Sequence, residues 1–373
     1  MRKFYIISFL TLLSLNCRKP YAPPLSEVSN TMLVVEGMIA VGDSAENRFL
    51  LSRLKPLDDT TLNDPEVRAR ITVESSAGGE WVIPEVSPGV YSAVNNIPVN
   101  ADYRLRIAAT NGKVYETPFL KPVNTPPIDS VTWLEPEDIN IYVHAYDPTN
   151  TTKYYRWEYT ETWEYRSFFE SFIKFDGTYF QERQANEMVY SCYRYGASNT
   201  IILNNTTALA EDRISYQLLK TIPNGAEEVS QRYSIQVKQY GLTKEAYEFW
   251  NILRKNTELT GSLFDPQPSQ LPGNIVCINT PGEKVIGYVC AGKQQLKRMF
   301  IRRGDLTINW PKEDESLLCV EFKSDSTTVK DTLRINNNLL PAYFITGGGV
   351  SVADKRCVDC REKGGTNVKP SFW

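Results

Sequence analysis

The sequence predicts a mainly β protein: an N-terminal immunoglobulin-like sandwich followed by a larger β-sandwich or barrel-like domain with one amphipathic helix. Three observations predict it. Short β-branched or aromatic runs recur along most of the chain, Gly, Pro, Asn and Asp punctuate them at close intervals, and a single segment has helical periodicity. The 373 residues, 42% hydrophobic and 23% charged, suit about two domains with real cores.

The first strands fall at 32–39, 70–74, 89–94, 103–109 and 113–120. Tyr103-Arg104-Leu105-Arg106-Ile107 alternates apolar with cationic residues, so one face turns inward and the other meets water. Asn111-Gly112 then makes a tight turn into Lys113-Val114-Tyr115-Glu116, a hairpin. Prolines at 122, 126 and 127 cannot donate ladder bonds and mark a linker. Residues 28–124 therefore form the immunoglobulin-like unit.

The larger β domain spans 125–322, with strands at 129–134, 139–146, 154–165, 188–195, 200–203, 213–222, 233–240, 275–278, 285–291, 299–302 and 317–322. Its helix, 243–256, is read from Leu242, Ala246, Phe249, Trp250 and Leu253 at helical spacing, with Thr243 as cap, acids early and Arg254 and Lys255 late. Trp250 reads as core packing against the sheet. Residues 323–373 are a weakly patterned, Cys-containing C-terminal segment.

Arg2 and Lys3 precede an apolar run, 4–15, too short to span a bilayer and of the length of a secretory signal core. Leu13-Ser14-Leu15-Asn16-Cys17 resembles a bacterial lipoprotein signal, which implies a signal peptide at 1–16, lipidation of Cys17 and a tether at 17–27. Multiple acylation would hold such a chain stably on a membrane. The other six cysteines, Cys192, Cys277, Cys290, Cys319, Cys357 and Cys360, are an even set of disulfide candidates in an exported protein. Their connectivity stays open. Cys357-Val-Asp-Cys360 has redox or zinc half-site spacing, but no second such pair and no nearby His accompany it.

Chemistry is bounded mainly by what the chain lacks. A net charge of −3 with no basic block leaves no footprint for nucleic acid. The single His144 sits in the alternating strand INIYVHAY and reads as a satisfied strand residue, which leaves no His-based triad or His-rich metal set. Neither a phosphate-cradling GxxxxGK[ST] nor a GxSxG elbow occurs. The expectation is a non-enzyme without cofactor or metal. Among 44 acidic residues two could stand at the ~5–10 Å separation of glycosidase carboxylates, which keeps a glycan hydrolase as an alternative.

The richest binding candidate is aromatic. Tyr155, Trp157, Tyr159 and Trp163 share one strand parity, while Arg156, Glu158 and Thr160 fall opposite. That face is either domain core or, with Phe168, Phe169, Phe172 and Tyr179 downstream, a contact surface for a peptide, a glycan or a receptor.

LVVEGMI at 33–39, LSRLKPLDD at 51–59, PPIDSVTW at 126–133, YYRWEYTETWEY at 154–165, RYSIQVKQYGLTKEAYEFW at 232–250, GSLFDPQPSQLPGNI at 261–275, VIGYV at 285–289 and CVDCREKGGTNVKPSFW at 357–373 together resemble the uncharacterised outer-membrane lipoproteins of Bacteroidota that share a domain of unknown function. The resemblance implies lipid anchoring at the outer membrane, on its surface or periplasmic face. It also implies an accessory role beside a TonB-dependent receptor in nutrient uptake. The alternative it leaves is a ligand-capturing lipoprotein with an aromatic site for peptide or glycan. It carries over no catalytic residues.

Overall fold

The computed structural model describes residues 32–54, 64–258, 273–307 and 318–373. The expected signal peptide, Cys17 and the tether lie outside the described residues. The chain is mainly β, as its strand runs predict.

The first unit is a sandwich of two five-stranded sheets. One has the order Val285–Ile286, Leu33–Gly37, Gly42–Arg53, Val90–Ile97, Glu85–Ser87; the other Val276–Cys277, Val114–Glu116, Tyr103–Ala108, Arg70–Ser75, Glu80–Ile83. Strict alternation drives the packing: Tyr103, Leu105 and Ile107 point into a core with Leu33, Phe49, Ile71, Tyr91 and Tyr115. On the wet face Arg104 bridges Glu74, its register partner, at 2.6 Å and reaches diagonally to Glu116, the partner of Arg106, at 3.1 Å. Gly112, at φ +81°, makes the expected hairpin turn, where an L side chain would be strained.

Residues 275–291 were expected in the larger domain; they return instead to this sandwich. Val276–Cys277 pairs with Val114–Glu116, and Val285–Ile286 lies parallel to Leu33–Gly37. Ile39 N–H donates to the Cys290 carbonyl at 2.8 Å, and Ile275, Val289 and Ala291 enter the same core. Gly287 permits the approach, because a Cβ there would lie 2.1 Å from the Val35 carbonyl oxygen. Two-residue strands have no readable face pattern, so the sequence offers no sign of where they pair.

The second unit packs a three-stranded sheet, Ile128–Leu134, Ile139–Asp147 and Asp212–Ile222, on a sheet ordered Ser191–Ala197, Tyr154–Arg166, Arg232–Leu242, Gln294–Arg302. It is an open sandwich with no closed barrel. Its core brings Ile139, Ile141, Val143, Ile214 and Ile222 of one sheet against Tyr155, Trp157, Ile235 and Val237 of the other. Helix α1 (Lys244–Glu258) starts where Thr243 Oγ1 accepts the Ala246 N–H at 3.2 Å, and it buries Ala246 and Phe249. Thr243 is the cap the sequence expects.

A third, small unit replaces the weakly patterned tail. Phe322–Asp325, Gly349–Asp354 and Leu339–Ile345 form an antiparallel sheet under helix α2 (Ser326–Ile335), whose cap Asp325 accepts the Thr327 and Thr328 N–H groups. The hairpin Ile173–Phe175 with Phe180–Glu182, inserted after the long strand Tyr154–Arg166, completes its core around Val329, Val350 and Val352. Cys319–Cys357 closes this unit, and Cys192–Cys360 pins it to the main sheet across 168 residues. Two of the six disulfide candidates are not bonded: Cys277 sits in the first core and Cys290 beside α1, both buried as free thiols. Cys357 and Cys360 each bond a different distant partner, so their spacing is structural.

Within this unit Glu321 accepts the Tyr343 and Ser351 hydroxyls, each at 2.6 Å, and pairs with Lys323. Burial alone raises its pKa, but these bonds to Lys323, Ser351 and Tyr343 outweigh it and push the carboxyl down to about 2. Its contribution to stability is therefore complete above the ordinary value of 4.5 and is lost as pH falls toward about 2. Denaturant titrations should show Glu321→Gln flattening this acid-side loss, and unchanged pH dependence would contradict the assignment. Replacing Cys192 and Cys360 by Ser should cost about 2–5 kcal/mol in equilibrium unfolding, because the bridge closes so long a loop. Alkylation without reductant should label Cys277 and Cys290 only after unfolding, and never Cys192, Cys319, Cys357 or Cys360.

Candidate functional site

The aromatic strand turns inward. Trp157 is 0% exposed, stacks on Tyr155 at 5.7 Å between ring centres, and donates its Nε1–H to Gln239 Oε1 at 2.9 Å. Gln239 in turn donates to the Pro126 carbonyl at 2.8 Å, so the ring also clamps the linker between units. Trp163 is half-buried and donates to Glu227 Oε1 at 3.0 Å, which also accepts from Arg194. Both serve the core, since the parity that makes an aromatic face also points it at the opposing sheet. The remaining candidates belong to the third unit. Phe169 packs beside the Cys319–Cys357 bridge, whereas Phe168 and Phe172 are exposed. Tyr179, 65% exposed, lies under Lys330, as does Phe180, and Phe180 meets Phe344, 52% exposed, at 6.1 Å. The six aromatic candidates thus divide between buried or half-buried positions, Trp157, Trp163 and Phe169, and exposed ones, Phe168, Phe172 and Tyr179.

His144 is a satisfied strand residue. Its Nδ1 accepts the Tyr216 N–H at 3.3 Å, so Nε2 carries the proton and meets Thr132 Oγ1 at 2.8 Å; burial lowers its pKa. The most enclosed acid pair, Asp147 and Asp212, stands opposite across two strands, 5% and 1% exposed. Burial raises both, but at Asp147 the Thr149 hydroxyl and the Thr149, Thr151 and Thr152 N–H groups reverse the effect and hold it well below the carboxylate range. Asp212 stays raised and accepts the Thr206 hydroxyl at 2.7 Å. Both tie loops together.

What the sequence does not disclose is a groove along the seam between the two sandwiches. Its floor is the outer face of the large sheet, where Arg156, Glu158 and Thr160 oppose Tyr240, Lys238 and Gln236. One wall is the start of strand Gly42–Arg53, bent over by a register shift between Gly42 and Ala45. At one end Trp250 of α1 lies under the Arg156 guanidinium, 3.7 Å from its ring centre. There Trp250 departs from simple core packing. Two chambers of about 140 and 530 Å³ share Glu46, Lys238 and Gln294. No pattern in one strand could reveal it, because its lining comes from both sandwiches and from α1. Among the described residues no group of three or more His, Cys, Asp or Glu could hold a metal ion.

Residues 18–298 match the family described as Domain of unknown function (DUF4249). The chain belongs to that family. The DUF4249 region takes in the first sandwich, the groove and nearly all of the second sandwich, with the 173–182 hairpin of the third unit, and stops before that unit's sheet and helix. No curated protein matches the chain. Among solved structures it is similar to a two-domain fibronectin type III segment of chicken tenascin, 13% identical, covering 56% of this chain and 90% of that one at a TM-score of 0.15. It is also similar to a putative membrane-anchored protein of Corynebacterium diphtheriae, 10% identical, covering 57% of this chain and 55% of that one at a TM-score of 0.16. Scores this low leave the architecture of this DUF4249 protein to its own strand pairing. None of its described helices is long and apolar enough to cross a membrane.

Trp157→Phe should cost about 1–3 kcal/mol, because it leaves the buried Gln239 carbonyl without its donor. Chemical denaturation measures it; a cost near zero would mean that the Trp157–Gln239–Pro126 chain is not holding the linker.

Proposed function

We propose that this DUF4249 protein is an exported outer-membrane lipoprotein, anchored through Cys17, that acts without catalysis as the accessory partner of a TonB-dependent receptor in nutrient uptake. The observation that carries the reading is the pair of disulfides, Cys192–Cys360 and Cys319–Cys357, in a chain that begins with a basic pair, a short apolar run and a Cys. Disulfides persist in oxidising compartments, and that N-terminus resembles a lipoprotein signal. The inward-turned Trp157 supports a scaffold more than an aromatic ligand site. Exposed rings at Tyr179 and Phe344 offer the third unit as the receptor contact. A carboxylate hydrolase finds no support in Asp147 and Asp212, which are buried at 5% and 1% exposure, Asp147 with both oxygens held by threonines and Asp212 with Oδ1 held by Thr206.

The test is gentle detergent extraction of native membranes, affinity isolation of the tagged chain, and mass spectrometry. A TonB-dependent receptor should accompany it in near-equal amount, and Tyr179→Asp with Phe344→Asp should reduce that receptor about tenfold. A chain isolated alone overturns the partnership. Cys17→Ala should release the protein from the membrane, and its retention there would overturn the anchor.

A further inference from the structure

We propose that the seam groove binds short peptides with free termini, a site independent of any receptor contact on the third unit. The argument begins with charge. The acids and bases lining the two chambers are equal in number, and two pairs neutralise each other: Glu46 with Lys238 at 3.8 Å, and Glu158 with Arg156. Glu36 and Arg48 remain in the smaller chamber, Asp43 and Lys293 in the larger, with no side-chain hydrogen bond or ion pair among the described residues. Each chamber therefore holds one uncommitted carboxylate and one uncommitted cation. That balance disfavours a polyanion, which needs an excess of positive charge.

A glycan is disfavoured by the aromatic groups. Sugars stack on open ring faces, but the Trp250 face carries the Arg156 guanidinium and Tyr240 is only 5% exposed. A free-ended peptide fits both constraints. Its ammonium and carboxylate match the uncommitted acids and bases through charge-assisted bonds, and its amides match Thr160, Gln236 and Gln294 along the floor. At the Trp250 end the Nε of Arg156 is buried without a hydrogen-bond partner. Met38 and Leu50 give that end an adaptable apolar wall. The larger chamber, about 530 Å³, lies within the ~300–1,000 Å³ range of small-ligand sites.

The test is equilibrium dialysis of the chain against a tetrapeptide mixture, randomised at all four positions and free at both ends, with retained peptides read by mass spectrometry. A subset should be enriched at least tenfold over the bulk. The enrichment should vanish when the same mixture is acetylated and amidated, and in the Glu36→Gln, Asp43→Asn, Arg48→Gln, Lys293→Gln variant, whose positions are exposed or half-buried and whose thermal unfolding should match the parent. Equal enrichment of the capped mixture, enrichment in the charge-neutralised variant, or no enrichment at all would overturn the proposal. Retention of maltoheptaose in place of any peptide would overturn it in favour of a glycan site.

Discussion

The pairing of Tyr154–Arg166 with Arg232–Leu242 is the constraint on which the rest of the molecule depends. It runs unbroken from Tyr154 opposite Leu242 to Glu164 opposite Arg232. Because side chains alternate, a single register fixes two surfaces at once. Tyr155, Trp157, Ile235 and Val237 face the opposing sheet, and Arg156, Glu158, Lys238 and Tyr240 form the floor of the groove. A slip by one residue would put charges into the core and rings into water. The far end of the same strand holds the third unit, where the Tyr165 hydroxyl donates to the Cys360 carbonyl at 2.7 Å beside the Cys192–Cys360 bridge.

Much of this was legible in the sequence wherever a local pattern had one physical meaning. The Tyr103–Ala108 alternation, the Asn111-Gly112 turn and the Thr243 cap each gave a rule with few competitors, and each stands in the structure. His144 was readable because its strand offered partners on both sides. The aromatic strand was readable in parity but not in role, since stacking in a core and stacking on a ligand ask for the same residues.

The rest was not legible because it is made by non-local contact. Val276–Cys277 and Val285–Ile286 find partners more than 150 residues upstream, and their own sequences say only that they are short. Of the six described cysteines four pair and two do not, which depends on where the returning segment carries Cys277 and Cys290 rather than on spacing. The third unit draws its core from a hairpin and a tail far apart in the chain, so neither piece looks like a domain. The groove is the extreme case, with lining from four separate stretches, 36–50, 156–160, 236–250 and 293–296.

The returning segment also sets an order of events. A ribosome delivers the chain from the N-terminus, yet the first sandwich lacks the edge strands Val276–Cys277 and Val285–Ile286 until the second has been almost entirely made. The unit that appears first is thus finished late, and until then its Leu33–Gly37 and Val114–Glu116 edges stay open to pairing with any passing strand. Folding has to wait on length, and a chain truncated before residue 275 would leave a first unit open at both edges rather than an independent small domain.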